Sequence, residues 1–161
     1  MDALTSVSEL SAISNAPGIN KANHELHAVG LGCMNLHGFF AKNKIAYESD
    51  LAKEFARTFF MMVNYYSIER SMQIAIEKGQ SFTGFEQSEY ANGNYFKNYQ
   101  EIDYTPTTDR IKALFGDMMI PTTEDWAKLA TAVKESGMYH AYRLAIAPTQ
   151  SIGYVQNATA S

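Results

Sequence analysis

The sequence predicts an α/β unit that is mostly helical, with one buried strand near its end. Leu51, Phe55, Phe59, Met62 and Tyr66 recur at intervals of three and four, the apolar stripe of a long amphipathic helix. Thr122, with Asp125 three residues on and Gly137 beyond, has the start and stop of a shorter one. Tyr142-Arg143-Leu144-Ala145-Ile146, ended by Pro148, reads as a short buried strand. At 161 residues the chain suits one domain, able to bury roughly 70% of its unfolded surface.

Taken in order, residues 2–13 carry Leu4, Val7, Leu10 and Ile13 at intervals of three, a short helix that Asn15-Ala16-Pro17-Gly18 stops. Residues 19–43 interleave Gly30, Gly32 and Gly38 with large apolar side chains, which points to a closely packed helix broken near the glycines. The long helix runs from Asp50 to about Lys78. Ser49 is its N-cap, Asp50 and Glu54 suit its positive end, and Gly79 is its stop. Its aromatic and methionine-rich stripe requires a large partner surface. Residues 80–105 are rich in Ser, Gly, Asn and Tyr and read as a long loop with one helical turn at Phe96–Tyr99. A helix starting at Thr105-Pro106 ends near Gly116, and another runs from Thr122 to Gly137. Both ends of the chain read as interruptions of a larger fold.

Composition narrows the function. The formal net charge is −4, so the chain lacks a general attraction to nucleic acid or to an anionic membrane. No apolar run reaches 18 residues, and no basic segment precedes an apolar one at the start, so a cytoplasmic protein is expected. The single Cys33 excludes an internal disulfide, a CxxC pair and an all-cysteine zinc site, and it fits a reducing compartment.

Several local patterns invite chemistry and have plainer readings. His24-Glu25-Leu26-His27 spaces its histidines by three rather than four and has no third ligand, which favours a solvated helix over a metal site. Gly30-Leu31-Gly32 opens like a dinucleotide fingerprint, but Asn35 stands where the third glycine belongs, and close helix packing explains it better. Cys33 in an apolar run reads as a small hydrophobe. Tyr65-Tyr66 reads as core with a polar tip. The richest site is Ala147-Pro148-Thr149-Gln150-Ser151-Ile152. A strand passing through a turn into a helix aims N–H groups and a positive dipole end outward, where an anion such as phosphate fits. Thr149 and Ser151 add hydroxyls. An ordinary N-cap is the alternative.

The run from Tyr139 through Ile152 and on to Thr159 closely resembles the large (alpha) subunit of class Ib ribonucleoside-diphosphate reductase. Ile13–Pro17, Lys21-Ala22-Asn23, Val29–Gly32, Met34–Gly38, Gly84-Phe85 through Tyr90-Ala91, and Pro121 with Trp126 resemble the same family in the same order. The resemblance implies a segment, residues 1–161, of a ten-stranded α/β barrel domain incomplete at both ends. It implies reduction of ribonucleoside diphosphates to deoxyribonucleotides for DNA synthesis by radical chemistry. Pro148, Thr149, Gln150, Ser151 and Ile152 would bind the substrate's diphosphate.

The resemblance also says what the chain does not hold. The family uses a thiyl-forming cysteine in an Asn-x-Cys-x-Glu setting and two further cysteines as electron donors, whereas this sequence has Cys33 alone, in Gly-Cys-Met-Asn. The isolated chain is therefore expected to be inactive, with no catalytic residue, metal ligand or cofactor of its own. Tyr65-Tyr66 and Asn35 stand outside the motifs they mimic. The implied partners are the remaining large-subunit segments, a small (beta) subunit carrying a dimetal-tyrosyl radical cofactor, and a thioredoxin- or glutaredoxin-like reductant. The rival reading is a non-catalytic helical interaction module with a phosphate-binding turn.

Overall fold

A computed structural model describes residues 1–11, 13 and 15–160. Ala12 and Ser14, within the first helix pattern and its stop, and Ser161 lie outside the described residues. Among the described residues eight α-helices follow in order: α1 (Asp2–Leu10), α2 (Pro17–Leu26), α3 (Leu36–Lys42), α4 (Asp50–Lys78), α5 (Lys97–Glu101), α6 (Asp109–Phe115), α7 (Thr123–Ser136) and α8 (Gln150–Gln156).

The core sits where α7 packs on α4 and α5 packs on α7. The Ser49 hydroxyl accepts from Ala52 N at 3.2 Å, and Gly79 closes α4 in the left-handed region at φ 65°. Thr122 and Asp125 form a reciprocal capping box on α7, which ends at Gly137 with φ 79°. Trp126 is 1% exposed. Its ring stacks on Tyr99 at 4.1 Å and meets the edge of Tyr65 at 5.1 Å, and its Nε1 points at Met61 Sδ, 3.4 Å away. Tyr65 is thus core, and burial pushes its hydroxyl up to about 12. Tyr66 keeps a polar tip, its hydroxyl donating to Met119 O at 2.8 Å.

The stripe on α4 is only partly covered. Phe55 and Met62 are buried, whereas Leu51, Phe59 and Tyr66 are half-buried. Phe55, Phe59, Met62 and Tyr66 line a groove of about 680 Å³ together with Met118 and Met119.

Several expectations are corrected. Helix α1 ends at Leu10, and Pro17 does not stop it but opens α2 from its first turn, where a missing N–H costs nothing. The helix expected at Thr105-Pro106 begins at Asp109, because the Glu54 carboxylate captures the N–H groups of Thr107 and Thr108 ahead of it. Residues 27–35 are extended rather than helical, with His27 and Asn35 both at positive φ. The glycines there do pack closely, but against an extended backbone. A Cβ on Gly30 would lie 2.9 Å from Ala145 Cβ, and one on Gly32 would lie 2.9 Å from Ala145 O.

The expected buried strand is the largest departure. Among the described residues the only pairing is an isolated parallel bridge between Leu31 and Leu144. Tyr142, Leu144, Ala145, Ile146 and Ala147 are all exposed, and Ile146 reaches 97%. A parallel strand is buried only when neighbours flank it and helices cover it. Here Leu31 flanks one side, and its own N–H and C=O are both committed to the 143–145 backbone.

Candidate functional site

The segment with the predicted site residues is suspended between two anchors. Upstream, Leu31 N donates to Arg143 O at 2.8 Å, and Ala145 N donates to Leu31 O at 3.0 Å. The Arg143 side chain turns inward and is 4% exposed. Its guanidinium donates to Asn64 Oδ1 at 3.2 Å, to Ser67 Oγ, and to the hydroxyls of Tyr90 and Tyr95 at 3.0 and 3.3 Å. The Tyr90 and Tyr95 rings face the same cation at 5.5 and 5.8 Å. Burial pushes the Tyr90 hydroxyl up, with the Arg143 charge opposing.

Downstream, α8 is turned back at Asn157, whose φ is 50°. Residues 158–160 pass so close to α8 that a Cβ on Gly153 would meet Ala158 O at 3.2 Å. Thr159 then locks to Asn35. Asn35 N donates to Thr159 O at 3.0 Å, and Thr159 N donates to Asn35 Oδ1 at 3.0 Å. Gly38 N completes the tie by donating to Thr159 Oγ1 at 3.2 Å. A Cβ at Gly38 would fall 2.2 Å from Asn35 Oδ1, so a larger residue there would displace the Asn35 side chain from Thr159.

Between these anchors lies the turn. Pro148, Gln150, Ser151 and Ile152 are exposed and Thr149 is half-buried. Thr149 holds φ 49°, a left-handed conformation that a β-branched residue adopts only at a cost of about 1–3 kcal/mol. This twist starts α8 at Gln150, so the first-turn N–H groups of Gln150, Ser151 and Ile152 lack intrahelical acceptors. The sequence after Glu135 contains no Asp or Glu, so Arg143 is the single charged side chain of the whole segment. In a chain of net charge −4, this region favours an anion.

The other sequence patterns come together in different ways. His27 is not solvated. It sits past the end of α2, is 8% exposed and stacks on Tyr139 at 4.0 Å, whereas His24 is exposed on α2. Among the described residues, no group of three or more His, Cys, Asp and Glu side chains could hold a metal ion. Cys33 is half-buried, 3.6 Å from Met34 O. Among the described residues, no helix is long and apolar enough to cross a membrane.

Sequence reasoning missed the Arg143 cluster and the Asn35–Thr159 tie. The signal for the first was present: an arginine inside an otherwise apolar run needs a buried set of acceptors.

A family model described as "Ribonucleotide reductase, barrel domain" matches residues 1–161. The ribonucleoside-diphosphate reductase subunit alpha of Bacillus subtilis (strain 168) is 58% identical over 160 residues, covering 99% of this chain and 23% of the relative. That of Mycoplasma pneumoniae is 43% identical over 166 residues, covering 100% of this chain and 23% of the relative. That of Treponema pallidum is 33% identical over 146 residues, with 89% and 15% covered. The chain thus spans less than a quarter of the length of these relatives.

Proposed function

Because the chain belongs to the ribonucleotide reductase barrel-domain family, we propose that it serves as one segment of a ribonucleoside-diphosphate reductase large subunit and supplies the substrate-diphosphate turn. The observation that carries this reading is the turn at Pro148–Ile152. Helix-start N–H groups stand beside the hydroxyl residues Thr149 and Ser151 in a stretch without carboxylates, and Thr149 holds a left-handed backbone.

The role is positioning. Phosphate oxygens accept from the first-turn N–H groups of Gln150, Ser151 and Ile152, and the Thr149 and Ser151 hydroxyls add donors. With the diphosphate fixed, the ribose is presented at one distance and angle to the radical centre. The cysteines that form the radical and supply the electrons belong to the remaining large-subunit segments, since this sequence has one cysteine.

The residues described here do not fit a dimetal-tyrosyl radical centre, for no cluster of metal-ligating side chains exists among them. That centre is assigned to the small subunit, and a thioredoxin- or glutaredoxin-like protein would restore the reducing cysteines. The ten-stranded α/β barrel is part of the proposal. The bridge at Leu31 and Leu144 would be a pair of its strands, and the remaining segments would flank it and cover the α4 groove. A cytoplasmic setting fits this chemistry.

The test is reconstitution. Co-expression with the remaining large-subunit segments and the small subunit should give ribonucleoside-diphosphate reduction that depends on this chain. Turnover by the chain alone, or failure to associate with those segments, would overturn the reading.

A further inference from the structure

Resting on the diphosphate reading of Pro148–Ile152, we propose that Arg143 is a positioning residue that sets the register of the strand delivering that turn. From Tyr142 to Pro148, Arg143 alone is buried. Every other side chain of that stretch is exposed, so the guanidinium is its one side-chain anchor. The backbone pairing is short: Leu31 bridges Leu144, and Val29 N donates to Tyr142 O at 3.0 Å. So short a pairing is a weak guard against slippage. A one-residue slip would move the turn by about 3.3 Å along the strand and reverse which side chains face inward.

Stability is a poor account of this arginine. No carboxylate is among its hydrogen-bond partners, which are the oxygens of Asn64, Ser67, Tyr90 and Tyr95. Among the described residues, its Nε and the neighbouring Asn64 Nδ2 are buried without a hydrogen-bond partner. An apolar side chain of similar volume would avoid the desolvation cost of such an ion. What arginine supplies is a planar fork with fixed directions. Its acceptors come from two bodies. Asn64 and Ser67 lie on α4, and Tyr90 and Tyr95 lie in the segment before α5. A strand that slipped would lose both sets at once. The buried cation therefore specifies position, and position is what a phosphate-gripping turn requires.

The experiment uses the large subunit containing this chain, assembled with its small subunit. Arg143→Gln, Arg143→Lys and the pair Tyr90→Phe/Tyr95→Phe are compared with Ser151→Asp, which places a carboxylate in the turn. The readouts are KM and kcat for cytidine diphosphate, calorimetric binding of inorganic pyrophosphate, and Tm. Arg143→Gln should raise KM and the pyrophosphate Kd by about tenfold, with kcat changed less. Arg143→Lys should recover part of the loss. The tyrosine pair keeps the cation buried while removing two of its acceptors, and should give a smaller rise in KM and Kd together with a lowered Tm. A lowered Tm with wild-type KM and Kd would overturn the proposal. Should Arg143→Gln fail to fold, an unchanged Kd in the tyrosine pair overturns it and a raised one supports it. Unchanged KM and Kd in Ser151→Asp would overturn the diphosphate reading itself. A loss in Ser151→Asp with none in the Arg143 and tyrosine variants would remove the positioning role alone.

Discussion

His140 Nδ1 lies 2.9 Å from Ser71 Oγ inside the protein, with His140 fully buried. The same Ser71 oxygen accepts from His140 N at 3.1 Å. Thr5 Oγ1 donates its only proton to Met1 O at 3.0 Å, so it accepts from His140 Nε2 at 2.9 Å. With the ring proton on Nε2, Nδ1 accepts from the Ser71 hydroxyl. One neutral imidazole thus ties α1 to α4.

This arrangement predicts an acid-sensitive fold. Burial holds the His140 imidazole down to about 4, against 6.5 for a free one. Between those values the unfolded chain binds a proton that the native chain refuses. Stability is therefore full above about pH 6.5 and falls as pH drops towards 4. His27, also held down by burial, acts in the same direction. Urea titrations from pH 7.5 to 4.5 should show a falling midpoint, with a shallower slope in His140→Gln. An unchanged slope in that variant would contradict the assignment.

Glu54 gives a second, more acidic window. Its carboxylate accepts from Thr107 N, Thr107 Oγ1 and Thr108 N at 2.5, 3.0 and 3.0 Å. These bonds, led by those from Thr108, hold it down at about 2 against an ordinary 4.5. The stabilisation is present above about pH 4.5 and is lost as pH falls through 2. Glu54→Gln should cost about 1 kcal/mol at neutral pH, read as a lower denaturation midpoint.

Paired glycine substitutions should separate close approach from mere flexibility. Gly32→Ala puts a Cβ 2.9 Å from the Ala145 carbonyl oxygen, while a Cβ on Gly18 in α2 meets nothing within 4 Å. Gly18→Ala should therefore stabilise the chain by about 0.5–1 kcal/mol, and Gly32→Ala should destabilise it. In the assembled large subunit, Gly32→Ala should also weaken pyrophosphate binding, which Gly18→Ala should leave alone.

The groove along Phe59, Met62 and Tyr66 predicts the behaviour of the isolated chain. Phe60, Met118, Met119 and Ile146 are exposed as well. The chain alone should bind the dye ANS strongly and aggregate as concentration rises, while far-UV circular dichroism shows ordinary helix. Adding the remaining large-subunit segments should abolish dye binding. Dye binding that persists in the assembled subunit would show that they do not cover the groove.

What was legible in the sequence divides along physical lines. The bounds of α4 and α7 are set by local chemistry: Ser49 and Gly79 for one, Thr122, Asp125 and Gly137 for the other. Such signals act within a few residues and can be read directly. Composition points to a strand at Tyr142–Ile146, but its burial depends on neighbours that composition does not specify. The turn at Pro148–Ile152 was visible because proline, hydroxyl residues and a helix start are local. The Arg143 cluster was not, because Asn64, Ser67, Tyr90 and Tyr95 lie 48–79 residues away in sequence. The start of α6 was displaced for a similar reason, its preceding turn being governed by Glu54, 53 residues earlier.

The tie between Asn35 and Thr159 joins residues 124 positions apart. Closing so long a loop is entropically expensive and yields only a few hydrogen bonds, so it follows the helices rather than leading them. The α4–α7 core closes a shorter loop, with Met61 and Trp126 65 residues apart, and can assemble while Thr149 and α8 are still unplaced. The proposed grip on phosphate would then be among the last properties acquired during folding. A ribosome releasing this chain would produce helices first and recognition afterwards. Ligand binding would accordingly report that maturation is finished, a later milestone than helix content.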